Sequence, residues 1–169
     1  ANMLRYTTLR NKEIVLAAVR QDGSALQWSD ARSDMNVVKL AVQQNGSALQ
    51  WASDDLKADV NVVKLAVQTY GLALEWASET LKNNDEVVLL AVRQDSESLV
   101  FAAKNDKKFV KKVMRVNGDA LQFSNFTNDR EIVLLAVRND GRALQHASDL
   151  LKGDKEVMTA AVAQNGQAL

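Results

Sequence analysis

One short phrase recurs along this chain at intervals of 22 to 25 residues. Residues 23–28 and 46–51 both read GSALQW, and residues 141–146 read GRALQH. The glycine that opens the phrase, replaced once by serine, gives an anchor for each unit at Gly23, Gly46, Gly71, Ser96, Gly118, Gly141 and Gly166. Self-similarity at such a period is typical of repeat proteins, in which each unit packs mainly against its neighbours.

The residues that precede each anchor have helical periodicity. Counted back from the anchor, positions −9, −8, −5 and −4 are apolar in all seven units, as at Val37, Val38, Ala41 and Val42. This spacing predicts a helix with one apolar face. Position −5 is alanine in six of the seven units, so we expect neighbouring helices to cross closely there. Position −7 is lysine in three units and is predicted to face solvent.

Both ends of this first helix carry end signals. Position −12 is Asp or Asn in every unit, and these side chains are favoured N-caps because they accept free backbone N–H groups. The anchor glycine is predicted to end the helix in the left-handed conformation.

The residues that follow each anchor predict a second short helix. In the unit that begins at Gly46, the apolar residues Ala48, Leu49, Ala52 and Leu56 have helical spacing. In the shorter units we expect this helix to end as a 3₁₀ turn. The chain is therefore predicted to be all-α, an α-solenoid of about seven tandem helix–turn–helix repeats. We expect residues 1–169 to form a single repeat domain cut from a longer array.

Composition limits the chemistry that the chain can perform. It has no Cys, one His, and equal numbers of basic and acidic side chains, 21 of each. We therefore expect neither a nucleophile–base pair nor a metal site, no cofactor and no enzymatic activity. No apolar run is long enough to span a bilayer, and the N-terminal residues lack the apolar core of a signal peptide, so we expect an intracellular protein without membrane association.

Residues 129–169, DREIVLLAVRNDGRALQHASDLLKGDKEVMTAAVAQNGQAL, resemble the helical repeats known as domain of unknown function 4116. The family pattern is roughly D-K-E-[IV]-V-L-x-A-V-x-x-[ND]-G-x-A-L-x-x-A-S. The resemblance extends over essentially the whole chain and is weakest at residues 95–120. It implies a helical repeat fold and an interaction role, and it transfers no catalytic residue.

Two positions of the second segment form the candidate binding surface: +5 lies at the edge of the predicted apolar stripe, and +4 points away from the core. The fifth residue after the anchor is aromatic in most units, and the fourth is usually Gln or Glu. The candidate residues are Gln27, Trp28, Gln50, Trp51, Glu75, Trp76, Gln122, Phe123, Gln145 and His146. The aromatic side chains at the fifth position have two interpretations. They either cover the seams between neighbouring repeats or stack on nucleobases or another aromatic ligand. One polar side chain per repeat resembles base-reading repeat proteins, but the neutral net charge opposes nucleic-acid binding.

A basic run at residues 104–112, KNDKKFVKK, is a second candidate surface. It is interpreted as a solvated helix face or as a docking patch formed by Lys104, Lys107, Lys108, Lys111 and Lys112. His146 replaces tryptophan in the aromatic column, so it is interpreted as an aromatic substitute and not as a metal ligand.

These features favour a non-catalytic repeat scaffold that mediates protein–protein interaction with an unknown partner. The alternatives are a nucleic-acid-binding repeat array and an inert spacer within a larger protein. We also expect head-to-tail self-association through apolar side chains exposed at the two ends, among them Leu4, Tyr6, Val157, Ala161 and Val162.

Overall fold

A computed structural model of the chain describes residues 12–168. Within this range long α-helices alternate with 3₁₀ helices, which confirms the predicted all-α repeat fold. The α-helices are α1 Lys12–Gln21, α2 Met35–Gln44, α3 Asp54–Lys57, α4 Val60–Thr69, α5 Glu79–Lys82, α6 Asp85–Gln94, α7 Lys107–Val116, α8 Arg130–Asn139, α9 Asp149–Lys152 and α10 Lys155–Gln164. The 3₁₀ helices are Gly23–Trp28, Gly46–Trp51, Gly71–Trp76, Ser96–Phe101, Gly118–Phe123 and Gly141–His146.

The chain forms two compact units, which divide between Asp95 and Ser96. In the first unit α1 packs against α2, α2 against α4 and α4 against α6, and the three 3₁₀ helices adjoin one another in the same order. In the second unit α7 packs against α8, α8 packs against α10, and the three 3₁₀ helices again adjoin in chain order. Within each unit, successive repeats therefore bury their apolar faces against one another.

The predicted apolar stripe of the first helices forms the core. Val37, Val38, Ala41 and Val42 are fully buried, as are the corresponding residues of α4 and α6. The prediction for position −7 is wrong, because this position is half-buried in most repeats and Leu134 is buried there. The lysines at this position reach towards the next repeat, where Lys64 Nζ lies 2.6 Å from Glu86 Oε1.

The predicted N-caps are present on the long helices α2, α4, α6, α7, α8 and α10, whereas the predicted cap of α1, Asn11, lies outside the described residues. Asp34 and Asp59 each accept hydrogen bonds from two backbone N–H groups in the first turn of α2 and α4. Asp129 and Asp154 do the same for α8 and α10. These carboxylates satisfy donors that have no partner inside the helix.

Removing one such cap should destabilise the first unit. We expect Asp59→Ala to lower its free energy of unfolding by about 1 kcal/mol, because the N–H groups of Asn61 and Val62 lose their acceptor. Urea unfolding followed by tryptophan fluorescence measures this change. Ser53→Ala is the control, since the Ser53 side chain makes no cap hydrogen bond on α3. Equal losses for both variants would contradict the prediction.

The anchor glycine does not end the first helix in the left-handed conformation, so that prediction is wrong. Among the described residues, neither glycines nor other residues have positive φ. The glycines from Gly23 to Gly141 instead each begin a 3₁₀ helix, whose N-cap is the preceding Asp or Asn except at Gly71, where it is Tyr70. Asn45 Oδ1, for example, accepts a hydrogen bond of 3.0 Å from the backbone N–H of Ser47.

The anchor is glycine because the next repeat comes too close for a side chain. A Cβ at Gly23, Gly46 or Gly118 would overlap the backbone carbonyl oxygen at position −5 of the next repeat. A Cβ at Gly141 would lie 2.5 Å from the carbonyl oxygen of Ala161. The recurring glycine and the recurring alanine are thus the two sides of one contact between repeats.

The glycine N–H groups also bind the next repeat. The N–H of Gly118 donates to Asn139 Oδ1 at 2.7 Å, while the Asn139 amide group donates to the Arg115 carbonyl at 3.0 Å. Gln164 makes the same pair of contacts with the N–H of Gly141 and the carbonyl of Asn139. The side-chain amide at position −2 therefore forms hydrogen bonds that link each of these repeats to the preceding repeat.

The second segment is not one continuous α-helix, which corrects the sequence-based expectation. The six units anchored from Gly23 to Gly141 each form a six-residue 3₁₀ helix, and the longer units add a separate four-residue turn of α-helix, namely α3, α5 or α9. The break arises because the next backbone N–H groups do not bond to carbonyls four residues earlier. Ala52 N–H donates to the Leu49 carbonyl, three residues earlier, and Ser53 N–H donates to the Arg32 carbonyl in the preceding linker. A continuous α-helix would need them to donate to the carbonyls of Ala48 and Leu49.

The expected exposure of apolar side chains at the C-terminal end is wrong for two residues. Val157 and Ala161 are fully buried because α10 packs against α8, whereas Val162 is 38% exposed. Leu4 and Tyr6 lie outside the described residues. Head-to-tail self-association stays a prediction. Of the three C-terminal side chains expected to mediate it, Val162 is the exposed one.

The unit anchored at Ser96 departs from the pattern that stabilises the others. Ser96 carries a Cβ, Val113 replaces the usual alanine, and Ser98 Oγ is buried without a hydrogen-bond partner among the described residues. We expect faster amide exchange at residues 96–116 than at residues 35–94, because a buried unsatisfied hydroxyl lowers the local opening free energy. Hydrogen–deuterium exchange with mass spectrometry measures it, and uniform protection would contradict it.

Candidate binding surface

The 3₁₀ geometry determines which side chains of the second segment reach solvent. With three residues per turn, the residue at +5 lies over +2 and the residue at +4 lies over +1. Trp51 therefore lies over buried Ala48 and is itself half-buried. Gln50 lies over Ser47, whose backbone carbonyl accepts a hydrogen bond of 3.0 Å from Gln50 Nε2.

In the first unit, six of the candidate residues lie on three adjoining 3₁₀ helices. Trp28 is 40% exposed, whereas Trp51 and Trp76 are half-buried. Gln27 and Gln50 are half-buried, and Glu75 is exposed. The structure thus brings Gln27, Trp28, Gln50, Trp51, Glu75 and Trp76 onto one row of helices, which we call the tryptophan ridge.

Tyr70 is an addition to this ridge that the sequence analysis missed. Its ring stacks on Trp76 with a centroid separation of 6.3 Å and an interplanar angle of 27°. The available signal was the replacement of the usual Asp or Asn before the anchor by an aromatic residue. Tyr70 does not cap its 3₁₀ helix with its side chain, so stacking replaces capping at this position.

In the second unit, four candidate residues lie on two adjoining 3₁₀ helices. Phe123 and His146 are half-buried, and Gln122 and Gln145 are exposed. His146 Nε2 lies 3.4 Å from Asp119 Oδ1, but this buried nitrogen makes no hydrogen bond. The Asp119 carboxylate instead accepts hydrogen bonds of 2.7 Å from Ser96 Oγ and Gln122 Nε2. This surface is therefore tied together by internal polar contacts.

Two lysines of the candidate basic patch bind the next repeat. Lys107 Nζ lies 2.5 Å from Asp129 Oδ2, and Lys111 Nζ lies 2.6 Å from Glu131 Oε1. The hydrogen bond from Lys111 lowers the pKa of Glu131, and the hydrogen bond to Asp129 raises the pKa of Lys107. The positive charges of Lys107 and Lys111 are therefore paired with the N-cap aspartate of α8 and with Glu131 on α8.

The remaining lysines of the basic patch lie in different surroundings. Lys104 Nζ lies 5.3 Å from the centroid of the Phe109 ring, in cation–π contact. Lys108 is exposed, and Lys112 is half-buried. The patch therefore presents less free positive charge than its sequence suggests.

Ion pairs between successive first helices follow a register that the sequence analysis missed. A basic residue at position −11 pairs with the N-cap aspartate of the next repeat, as in Lys12–Asp34 at 2.6 Å and Arg130–Asp154 at 2.9 Å. The Arg130 hydrogen bond lowers the pKa of Asp154. The sequence signal for these ion pairs was a Lys or Arg directly after the N-cap of one repeat, together with Asp as the N-cap of the next repeat.

The rows of aromatic and polar side chains on the 3₁₀ helices form the candidate binding surface of the described residues. Between residues 12 and 168, none of the helices is long and apolar enough to cross a membrane. In the same range, no three His, Asp or Glu side chains lie together in a way that could hold a metal ion.

A family model described as Domain of unknown function (DUF4116) matches residues 11–57, 34–82, 59–105, 84–127 and 129–169. Each match contains two anchor positions, so the family model corresponds to a pair of repeats. No curated protein and no solved structure matched the chain.

Proposed function

Since the chain belongs to the repeat family described as Domain of unknown function (DUF4116), we propose that it is a non-catalytic scaffold that binds a protein partner. The observation that supports this function is the tryptophan ridge of the first unit. Tryptophan combines a large apolar surface with a polar N–H group and is enriched in the residues that dominate protein interfaces.

The exposure of the ridge distinguishes it from the core. Leu49 and Leu74, two positions before Trp51 and Trp76, are fully buried. Trp28 keeps 40% of its surface in solvent, and exposed Glu75 adjoins half-buried Trp76. The tryptophans, unlike these leucines, therefore keep part of their indole surface available to a partner.

Site-specific photocrosslinking tests this proposal. A photoreactive phenylalanine analogue replaces Gln50 on the ridge or, as a control, exposed Gln43 on α2. We expect a discrete protein adduct from position 50 in an extract of the source cells, no such adduct from position 43, and loss of the adduct in a Trp28→Ala background. Identical adducts from both positions would contradict the proposal.

The same experiment separates the alternative functions. An adduct that is lost on nuclease treatment, with binding that weakens steeply as salt rises, would indicate a nucleic-acid reader. The absence of any adduct from position 50 would indicate an inert spacer. Either result would overturn the protein-binding scaffold.

A further inference from the structure

The zero net charge of the whole chain hides an uneven distribution within the first unit. Its 3₁₀ helices lie in the segments 22–32, 45–58 and 70–83. In each of these segments the acidic side chains outnumber the basic side chains by one. The segments that contain its long helices together carry equal numbers of both charges, over residues 12–21, 33–44, 59–69 and 84–94. The excess negative charge of these segments thus accompanies the tryptophan ridge.

Three carboxylates of these segments are solvated. Asp54 and Asp55 follow closely after Trp51, Glu75 directly precedes Trp76, and all three are exposed. None of the three forms an ion pair within residues 12–168, whereas Glu79 is held by Lys82 at 2.9 Å. These three side chains therefore remain able to accept hydrogen bonds from a bound partner.

Half-buried tryptophans with solvated carboxylates close to them in sequence favour one class of ligand, the basic side chains. A Lys or Arg side chain can place its cationic group over an indole face and donate to a neighbouring carboxylate. The second unit differs at the same positions. Its aromatic residues there are Phe and His, the position of Glu75 is Val100, Gln122 or Gln145, and Asp149, at the register of Asp54, lies 3.6 Å from Lys152 Nζ.

The spacing of the repeats suggests the form of the ligand. Packed helices lie about 8–10 Å apart, and a polyproline II segment has three residues per turn and advances about 3.1 Å per residue. One repeat therefore corresponds to about one turn of such a segment, and every third side chain lies on the same face. We propose that the tryptophan ridge binds an extended polypeptide segment in this conformation with Lys or Arg at about every third residue, an inference that rests on the scaffold function above.

A defined peptide tests the inference directly. The probe is a fluorescein-labelled peptide of Gly and Ser with Arg at every third position, titrated with the purified chain and followed by fluorescence anisotropy. We expect saturable binding that weakens about tenfold in the triple variant Asp54→Asn, Asp55→Asn, Glu75→Gln, because three exposed ion pairs are lost. The matched control is Asp149→Asn, a fully exposed carboxylate at the register of Asp54 in the second unit, which should leave the Kd unchanged.

Each contrary result overturns the inference. These results are the absence of saturable binding, equal binding of a peptide with Glu in place of Arg, and an unchanged Kd in the triple variant. A protein crosslinked at position 50 through a segment without basic residues would also overturn the inference, yet it would leave the scaffold function standing. Loss of all adducts from position 50 would instead reject the scaffold function.

Discussion

Gly46→Ala should lower the free energy of unfolding of the first unit by about 3 kcal/mol, a large effect for one methyl group. The added Cβ would overlap the Ala66 carbonyl oxygen and lie 2.9 Å from the Tyr70 backbone nitrogen. Backbone atoms cannot rotate aside, so α4 would have to shift away from the 3₁₀ helix. Urea unfolding followed by tryptophan fluorescence reports on this unit, because Trp28, Trp51 and Trp76 all lie within it.

Gly166→Ala is the matched control. A Cβ at Gly166 would meet no atom within 4 Å, and the residue does not have positive φ. We expect this variant to be neutral or up to about 1 kcal/mol more stable, since alanine reduces the entropy of the unfolded chain. Thermal melting followed by far-UV circular dichroism measures it. If Gly46→Ala were also neutral, the close approach of successive repeats would be wrong.

Ala66→Leu should lower the free energy of unfolding of the same unit by about 1–3 kcal/mol. Ala66 is fully buried on α4, which packs against both α2 and α6. A leucine there adds volume at a helix crossing and would force the helices apart, which overpacks the core. Tryptophan fluorescence in urea again measures the change.

Ala58→Leu serves as the control for this substitution. Ala58 is exposed at the end of α3 in the same unit, so the same change of side chain has room there. We expect its effect to stay within about 0.5 kcal/mol. A neutral Ala66→Leu variant would show that Ala66 does not lie at a close crossing.

The candidate surface was only partly predictable from the sequence. Its period identified the aromatic column, including Trp51 and Trp76, because each unit repeats the same local environment. Their place at the edge of the apolar stripe indicated partial burial, whereas the side chain that each one lies over follows from the eclipsed residues of a 3₁₀ turn. The stacking of Tyr70 on Trp76 depends on the path of the chain around Gly71 and has no periodic signal.

Local patterns determined the first helices. The spacing of apolar residues such as Val62 and Val63, and the N-cap at Asp59, act within a single turn or two, so the sequence alone was sufficient to predict the helix and its start. The resemblance to a repeat family, which is clear at residues 129–169 and extends along the chain, likewise predicted repeated helices.

Contacts between repeats decided what the sequence could not. The second segment does not continue as a helix beyond Trp51, because Ser53 N–H bonds to the Arg32 carbonyl of the preceding linker, about 20 residues away. The anchor is glycine because the Ala66 carbonyl lies against Gly46, not because the backbone is left-handed. Sequence periodicity describes one repeat at a time, whereas these bonds and close approaches exist only once two repeats are stacked.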